Sequence, residues 1–186
     1  MGHIFDPEKL HAIARSAVGL THTEMQRHVV DALAREWPGH IDTSPRWMFN
    51  MTAGATGMMG LLHASLSEYL ILFGSAIGTE GFSGRYRMHV WDAMISGEMW
   101  TYTESAFRDR VIHRPGDMAL LERGDAKAYR ICENSWMLEY GRGIIPAAMP
   151  LGLADAVLGA LDGTTVVKTL HSYGRLVVKE LLQGKI

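Results

Sequence analysis

Between Trp47 and Gly143 the sequence runs as short stretches rich in Tyr, Trp, Val, Ile and Met. Turn signals separate them at Ser83-Gly84, Ser96-Gly97, Pro115-Gly116-Asp117 and Gly124-Asp125. Strands this short, interrupted this often, pair as antiparallel neighbours, and several of them suggest a small closed barrel or jelly roll whose interior can hold one ligand. On either side the period is helical. Asp6 before Pro7 pairs an N-cap with a first-turn proline and starts a helix through Leu10, Ile13, Ala14 and Val18, ending at Gly19. Thr21 with Glu24 forms a capping box for a second helix through Met25, Val29, Val30 and Leu33, stopped by Trp37-Pro38-Gly39. Beyond the strands, Pro146 or Pro150 opens a helix through Leu151 to Leu161. Asp162-Gly163 breaks it, and Thr164 caps a last helix through Val167, Leu170, Tyr173, Val177 and Leu181. The expectation is one α+β domain over 1–186, with helices at 6–37, an antiparallel barrel at 47–143 and C-terminal helices at 146–183. Met51 to Ser65 fits either a short helix or a bulged strand.

Composition narrows the function. An apolar content of 47% with 20% charged residues is ordinary for a globular core, and 18 basic against 20 acidic residues without a basic run leave no footprint for nucleic acid. Cys132 is the single cysteine, so neither an intrachain disulfide nor a CxxC metal motif is available, which fits a reducing cytoplasm. No targeting signal is visible, and the apolar stretches fall short of the roughly 18 residues that a span needs. The last helix sets Lys168, His171, Arg175 and Lys179 beside its apolar stripe. That pattern suits either packing on the barrel or peripheral contact with a membrane. Nine histidines include no HxH, HExxH or Cys/His cluster, so neither a metal site nor a cofactor is expected. The glycines from Gly54 to Gly60 lack a P-loop lysine, and no GxSxG elbow surrounds Ser65 or Ser67.

Two carboxylates stand out against this background. Glu139 lies in Trp136-Met137-Leu138-Glu139-Tyr140, where alternation puts it beside Met137 on one face and Trp136, Leu138 and Tyr140 on the other. Neither face reads as solvated. Asp92 repeats the anomaly, sharing its face with Met88, Val90 and Met94. An acid in a strand ordinarily sits at a solvated edge or pairs with a nearby arginine, and Arg142 is close in sequence. Two acids, each aligned with methionines, instead suggest a pair facing one apolar pocket. Such a pair cannot ionise twice at low cost, so it holds one proton between its members and becomes a proton donor at neutral pH.

The chain resembles a known family, the fungal C-8 sterol isomerases and the sigma-1 receptor. The resemblance rests on Leu61 to Tyr69 (LLHASLSEY), Phe82 to Tyr86 (FSGRY), Ile95-Ser96-Gly97 and above all Trp136 to Pro146 (WMLEYGRGIIP), with weaker similarity from Phe5-Asp6-Pro7 to the C-terminus. It implies a cupin-like barrel flanked by helices, assembly as a homotrimer, and an apolar pocket with two acids matching Asp92 and Glu139. In the receptor the match to Glu139 pairs with a ligand's cationic amine, the match to Asp92 hydrogen-bonds that glutamate, and the match to Tyr69 helps hold it. Tyr69 and Phe73 are carried over as pocket residues. Family members from eukaryotes carry an N-terminal membrane anchor, whereas this chain begins near the first soluble helix, so a soluble or peripheral protein is expected. The receptor's pocket histidine is matched by Leu121 and a pocket tryptophan by Ala55, which leaves the cavity's shape and natural ligand open.

Together these readings predict an isomerase that shifts a carbon-carbon double bond in a sterol-like or terpenoid substrate. One carboxyl delivers a proton to the alkene, an anion stabilises the cation, and a carboxylate removes a neighbouring proton. Asp92 and Glu139 are the candidate catalytic residues; which of them donates is left open, because a coupled pair titrates as a unit. Tyr69, Phe73, Met59, Met88, Val90, Trp91, Met94 and Met137 are the candidate ligand-binding residues, with Phe73 or Trp91 offering a π face to the cation. The alternatives are a non-catalytic, receptor-like protein that holds hydrophobic amines or lipids and a proton-initiated isoprenoid cyclase.

Overall fold

The computed structural model describes residues 2–185. Helices α1 (Pro7–Ser16) and α2 (His22–Glu36) precede ten strands: β1 (Trp47–Thr52), β2 (Ala55–Ala64), β3 (Glu68–Ser75), β4 (Thr79–Phe82), β5 (Met88–Ser96), β6 (Met99–Thr103), β7 (Ala106–His113), β8 (Met118–Leu121), β9 (Ala128–Ile131) and β10 (Ser135–Gly143). A 3-10 turn (Ile145–Ala147), α3 (Met149–Ala154), a π-helical turn (Asp155–Gly159) and α4 (Gly163–Leu182) follow. The strands form two antiparallel sheets, a six-stranded one in the order β1-β2-β3-β10-β5-β8 and a four-stranded one in the order β4-β9-β6-β7. This is the α+β arrangement of a barrel flanked by helices.

Local chemistry starts the first two helices. The Asp6 side chain accepts a hydrogen bond from the Glu8 N–H at 2.9 Å, and Thr21 and Glu24 cap each other reciprocally. All four turn signals of the central region fall at strand ends or between strands. At Ser96-Gly97 the chain takes φ +69° at Gly97, and a Cβ there would lie 1.9 Å from the Ser135 hydroxyl, so only glycine fits this turn. Met51 to Ser65 holds the end of β1, a turn at Ala53-Gly54 and β2, whose register against β3 shifts between Leu61 and His63, so the stretch is bulged strand rather than helix.

The six-stranded sheet is covered on both faces. Outward, Leu62, Leu70, Leu72, Ala93, Ile95, Leu138 and Tyr140 pack on Leu10, Ala14, Met25, Val29 and Leu33 of α1 and α2. Inward, Met59, Ile71, Phe73, Met94 and Met137 meet Met99 and Ile131 of the other sheet. Double coverage explains why β3 and β10 carry apolar residues at nearly every position instead of alternating with polar ones.

The buried carboxylate of Glu68 fastens the chain termini to the outer face of this sheet. It accepts from the Ile4 N–H at 2.9 Å, the Tyr140 hydroxyl at 2.6 Å and the Lys185 ammonium at 2.8 Å. Burial alone would raise its pKa, but these donors outweigh burial and hold it below the usual carboxylate range.

The C-terminal region departs from its sequence reading. The α-helix that begins after Pro146 runs only to Ala154 before the π turn, where the Asp155 carboxylate accepts the Gly54 N–H at 2.7 Å and ties the turn to the β1–β2 connection. The cap of α4 is Asp162 rather than Thr164, because its two oxygens reach the N–H and hydroxyl of Thr165 at 3.0 and 2.6 Å. Helix α4 packs onto the barrel through Leu176 and Val177 and leaves Val167, Leu170, Val178 and Leu182 exposed. Among the described residues no helix is long and apolar enough to cross a membrane.

Candidate functional site

Strand β10 lies between β3 and β5, and the register decides what meets on its inner face. Glu139 pairs with Ile71 on one side and Asp92 on the other; Met137 pairs with Phe73 and Met94, and Gly141 with Tyr69 and Val90. Directly opposed residues hold their Cβ atoms about 4.5–5.5 Å apart, so the two acids face one space. Arg142 points to the other face, its guanidinium 4.9 Å from the Trp91 ring centre, and does not neutralise Glu139.

That space has two adjoining lobes. The inner lobe, of about 90 Å³, lies between Asp92, Glu139, Tyr69, Phe73, Val90, Met137 and the facing Lys127 and Tyr129. The outer lobe, of about 140 Å³, runs past Met59, Ile71, Met88 and Tyr173 to Met149 and Leu153 of α3. Glu139, Tyr69, Tyr86, Asn50 and Thr52 belong to both. Both lobes are small against the ~300–1,000 Å³ of a drug-sized ligand site, even taken together, and a ligand that used both would pass Glu139.

Tyr69 reaches Glu139 by a close approach of backbone. Its hydroxyl donates to Glu139 Oε1 at 2.5 Å, while its ring lies flat over Gly141, where a Cβ would stand 2.1 Å from Cε1. In the same way, a Cβ on Gly57 would stand 2.4 Å from Phe73 Cζ, so the glycine leaves room for that ring.

The two acids differ in their partners. Asp92 Oδ2 accepts from the Lys127 ammonium at 2.5 Å, and both side chains are more than nine-tenths buried. Among the described residues Glu139 has only the Tyr69 hydroxyl as a partner, although part of its surface stays open to the cavity. Burial first, and then the Asp92 charge, push Glu139 from 4.5 up to about 7, against the opposing pull of Tyr69 and Lys127. The contrast with Glu68 is physical: many donors keep that carboxylate ionised, whereas a single one leaves Glu139 on the edge of protonation. Tyr69, Tyr86 and Tyr129 are also raised, chiefly by burial and then by the Glu139 charge, so they remain neutral hydroxyls.

A raised carboxylate carries a stability signature. Glu139 contributes stability that is fully present below about 4.5 and is lost as the pH rises through about 7. At about 1.4 kcal/mol per pKa unit, the loss from this group approaches ~3 kcal/mol by pH 8. Denaturation of Glu139→Gln between pH 5 and 8 should lack that component and leave the variant more stable than the parent at pH 8; parallel curves for the two proteins would mean that Glu139 titrates normally.

Of the residues singled out from sequence, Asp92, Glu139, Tyr69, Phe73, Val90 and Met137 line the inner lobe, and Met59 and Met88 the outer. Met94 is fully buried in the cluster behind the cavity and does not line it. Trp91 is a correction. It stacks on Tyr140 at 5.3 Å on the outward face of β5, because its neighbour Asp92 takes the inward one, so it offers no π face to a ligand. The partner of Asp92 also differs from the one that the resemblance implied, since Asp92 is bonded to Lys127 rather than to the glutamate.

Lys127 was missed because it follows the Gly124-Asp125 turn, where a lysine reads as solvated. Its backbone is pinned to the FSGRY segment instead: its N–H donates to the Ser83 hydroxyl and its carbonyl accepts from the Ser83 N–H, each at 2.9 Å. Tyr86 could have been found, since it closes that same motif. Leu121 and Ala55, the positions that the resemblance matches to a histidine and a tryptophan of the receptor, both line the inner lobe. Among the described residues no three His, Cys, Asp or Glu side chains converge as a metal would require.

The barrel cavity therefore sets one carboxyl poised to hold a proton across from a second that is held beside an ammonium. The family described as ERG2 and Sigma1 receptor like protein matches residues 1–185, and the chain belongs to it. It is 36% identical to the C-8 sterol isomerase ERG2 of Gibberella zeae, over 99% of this chain and 79% of that protein. It is 37% identical to the C-8 sterol isomerase of Pyricularia oryzae, over 98% and 85%, and 36% identical to the sigma non-opioid intracellular receptor 1 of Gallus gallus, over 95% and 80%. Solved cupins overlap about half of the chain. An RmlC-like cupin from Shewanella frigidimarina covers 54% of it with a TM-score of 0.43 at 12% identity, and a cupin superfamily protein from Desulfitobacterium hafniense covers 45% with 0.41 at 17%.

Proposed function

We propose that this protein is an isomerase that moves a carbon-carbon double bond in a sterol-like or terpenoid substrate. The observation that carries this reading is Glu139, a carboxyl inside an apolar cavity with one hydroxyl partner and an anion across the strand, which is half-protonated at about pH 7. General acid catalysis works best with such a value, because the acid is present in quantity and still gives its proton readily. Protonated Glu139 adds its proton to one alkene carbon, and the neighbouring carbon becomes cationic. The Glu139 carboxylate so formed and Asp92 face that charge from one side. Loss of a proton from the next carbon to a carboxylate of the pair restores an alkene one position along, and no electrons leave or enter.

The reacting end of the substrate occupies the inner lobe and the rest of its skeleton the outer, which threads it past Glu139. The names of the relatives support the sterol-like class, because the isomerases among them match the chain over nearly its whole length. The same cavity could instead hold an amine beside the Glu139 anion, as a receptor would, and the similarity to the avian sigma receptor favours that second reading. Assembly as a homotrimer and peripheral contact with lipid belong to the proposal as well. The exposed Phe107 and Val111 on edge strand β7 support the first, and the exposed Leu158 and Leu161 before α4 and Leu170 and Val178 along it support the second.

Heavy water separates the readings. Incubated with a panel of sterol and terpenoid alkenes in deuterated buffer, the protein should place deuterium on the protonated carbon of a shifted product, read by mass spectrometry and NMR. Alkenes that bind in the cavity and return unlabelled and unshifted across the panel would leave the receptor reading in its place.

A further inference from the structure

The proposed reaction needs the proton on one member of the pair, and symmetric chemistry does not say which. Two carboxyls facing each other across a strand register would share a proton about equally if their surroundings matched. Their surroundings do not match. The Lys127 ammonium lies 2.5 Å from Asp92 Oδ2, both side chains are more than nine-tenths buried, and the lysine's backbone is held by two hydrogen bonds to Ser83. Glu139 has instead a neutral phenol as its partner. A buried ammonium is tolerated only beside an anion, so the pairing ties the charge of Asp92 to that of Lys127.

We propose that Lys127 is a positioning residue for this reaction, keeping Asp92 ionised so that the one proton held by the pair sits on Glu139. The assignment rests on the isomerase reading for its purpose but not for its geometry. It also balances charge through the reaction. Before proton transfer the cavity holds Lys127 positive, Asp92 negative and Glu139 neutral, and it accepts a neutral alkene without net charge. After transfer Glu139 is negative, and the substrate cation restores neutrality. Without the lysine, the resting cavity would carry a net negative charge and would hold its proton too tightly to give it up at pH 7. The other titratable groups that face this cluster do not replace Lys127. Tyr69 on β3, Tyr86 before β5 and Tyr129 on β9 are neutral hydroxyls, and burial together with Lys127 lowers the pKa of His113 on β7.

Carboxyl titration by NMR on the whole protein, with carbon-13 in the Asp and Glu side-chain carboxyls, tests this without any need for turnover; Glu139→Gln and Asp92→Asn identify the two resonances. In the parent, the Glu139 signal should move near pH 7 without a matching movement of the Asp92 signal. In Lys127→Met both signals should move together, and the uptake of the shared proton should shift upward by at least one pH unit, a tenfold gain in proton affinity. Lys127→Arg should restore the separate behaviour. If Lys127→Met does not fold, Asp92→Asn decides, because Glu139 then loses an anion and faces an unpaired ammonium and should titrate at least one unit lower than in the parent. Unchanged Glu139 and Asp92 titrations in Lys127→Met, or an unchanged Glu139 titration in Asp92→Asn, would overturn the assignment. The shifts accompanied by no deuterium in any alkene would uphold the charge assignment and remove the isomerase reading alone.

Discussion

Glu139→Gln should lose deuterium incorporation by about a hundredfold to ten-thousandfold, the usual contribution of a positioned general acid. The substitution keeps the shape of the side chain and leaves an oxygen to accept the Tyr69 hydroxyl, so the protein should fold, and above pH 7 it should be the more stable form. What it removes is the exchangeable proton. Asp92→Asn should be as inactive for a different reason: it leaves the Lys127 ammonium buried without its anion. Breaking one side of such a pair typically costs about 3–5 kcal/mol, so the assay belongs at a temperature where circular dichroism shows the variant folded. Full activity in both folded variants, measured with an alkene that the parent labels, would remove the acid pair from the mechanism.

A second large effect is expected one pair along the same strands. In Gly141→Ala the new methyl would stand 2.1 Å from Tyr69 Cε1 and 2.5 Å from Cζ, and the two residues are locked opposite each other in the β3–β10 register. The backbone cannot yield without breaking that ladder, so the ring must swing and take its hydroxyl away from Glu139. Overpacking of this kind costs about 1–3 kcal/mol, which for a chain of this length lowers the melting midpoint by several degrees. Turnover should fall about tenfold or more, because the carboxyl loses the group that orients it. Tyr69→Phe separates the two consequences: it deletes the hydroxyl without crowding the sheet, so it should share the loss of turnover with little of the loss of stability. A Gly141→Ala protein with parental melting and parental turnover would mean that the ring does not lie across residue 141 in solution.

Much of the architecture could be read locally. Asp6 and Thr21 announce helix starts because capping needs only a side-chain oxygen within three residues, and the four turn signals need only backbone conformations that glycine and proline favour. Local rules stopped at the C-terminal helices. The Asp155 bond to Gly54 spans 101 residues, and the choice of Asp162 over Thr164 as cap depended on where the preceding turn left the chain.

The sequence by itself determined that Asp92 and Glu139 lie on apolar strand faces, since alternation is a property of the strand alone; the same alternation puts Trp91 on the face opposite Asp92, against the expectation that Trp91 meets the ligand. The resemblance and the motifs also marked Tyr69 and Phe73. Only the tertiary structure decided that the two acids oppose each other in one register, that Gly141 opens the space for Tyr69, and that a lysine from a turn 35 residues away ends beside Asp92. The physical reason is that alternation sets the side of a strand on which a group lies, whereas pairing between distant strands sets what it meets there. Charge state follows from that meeting, and so the different behaviour of two chemically alike carboxyls is a property of the folded chain.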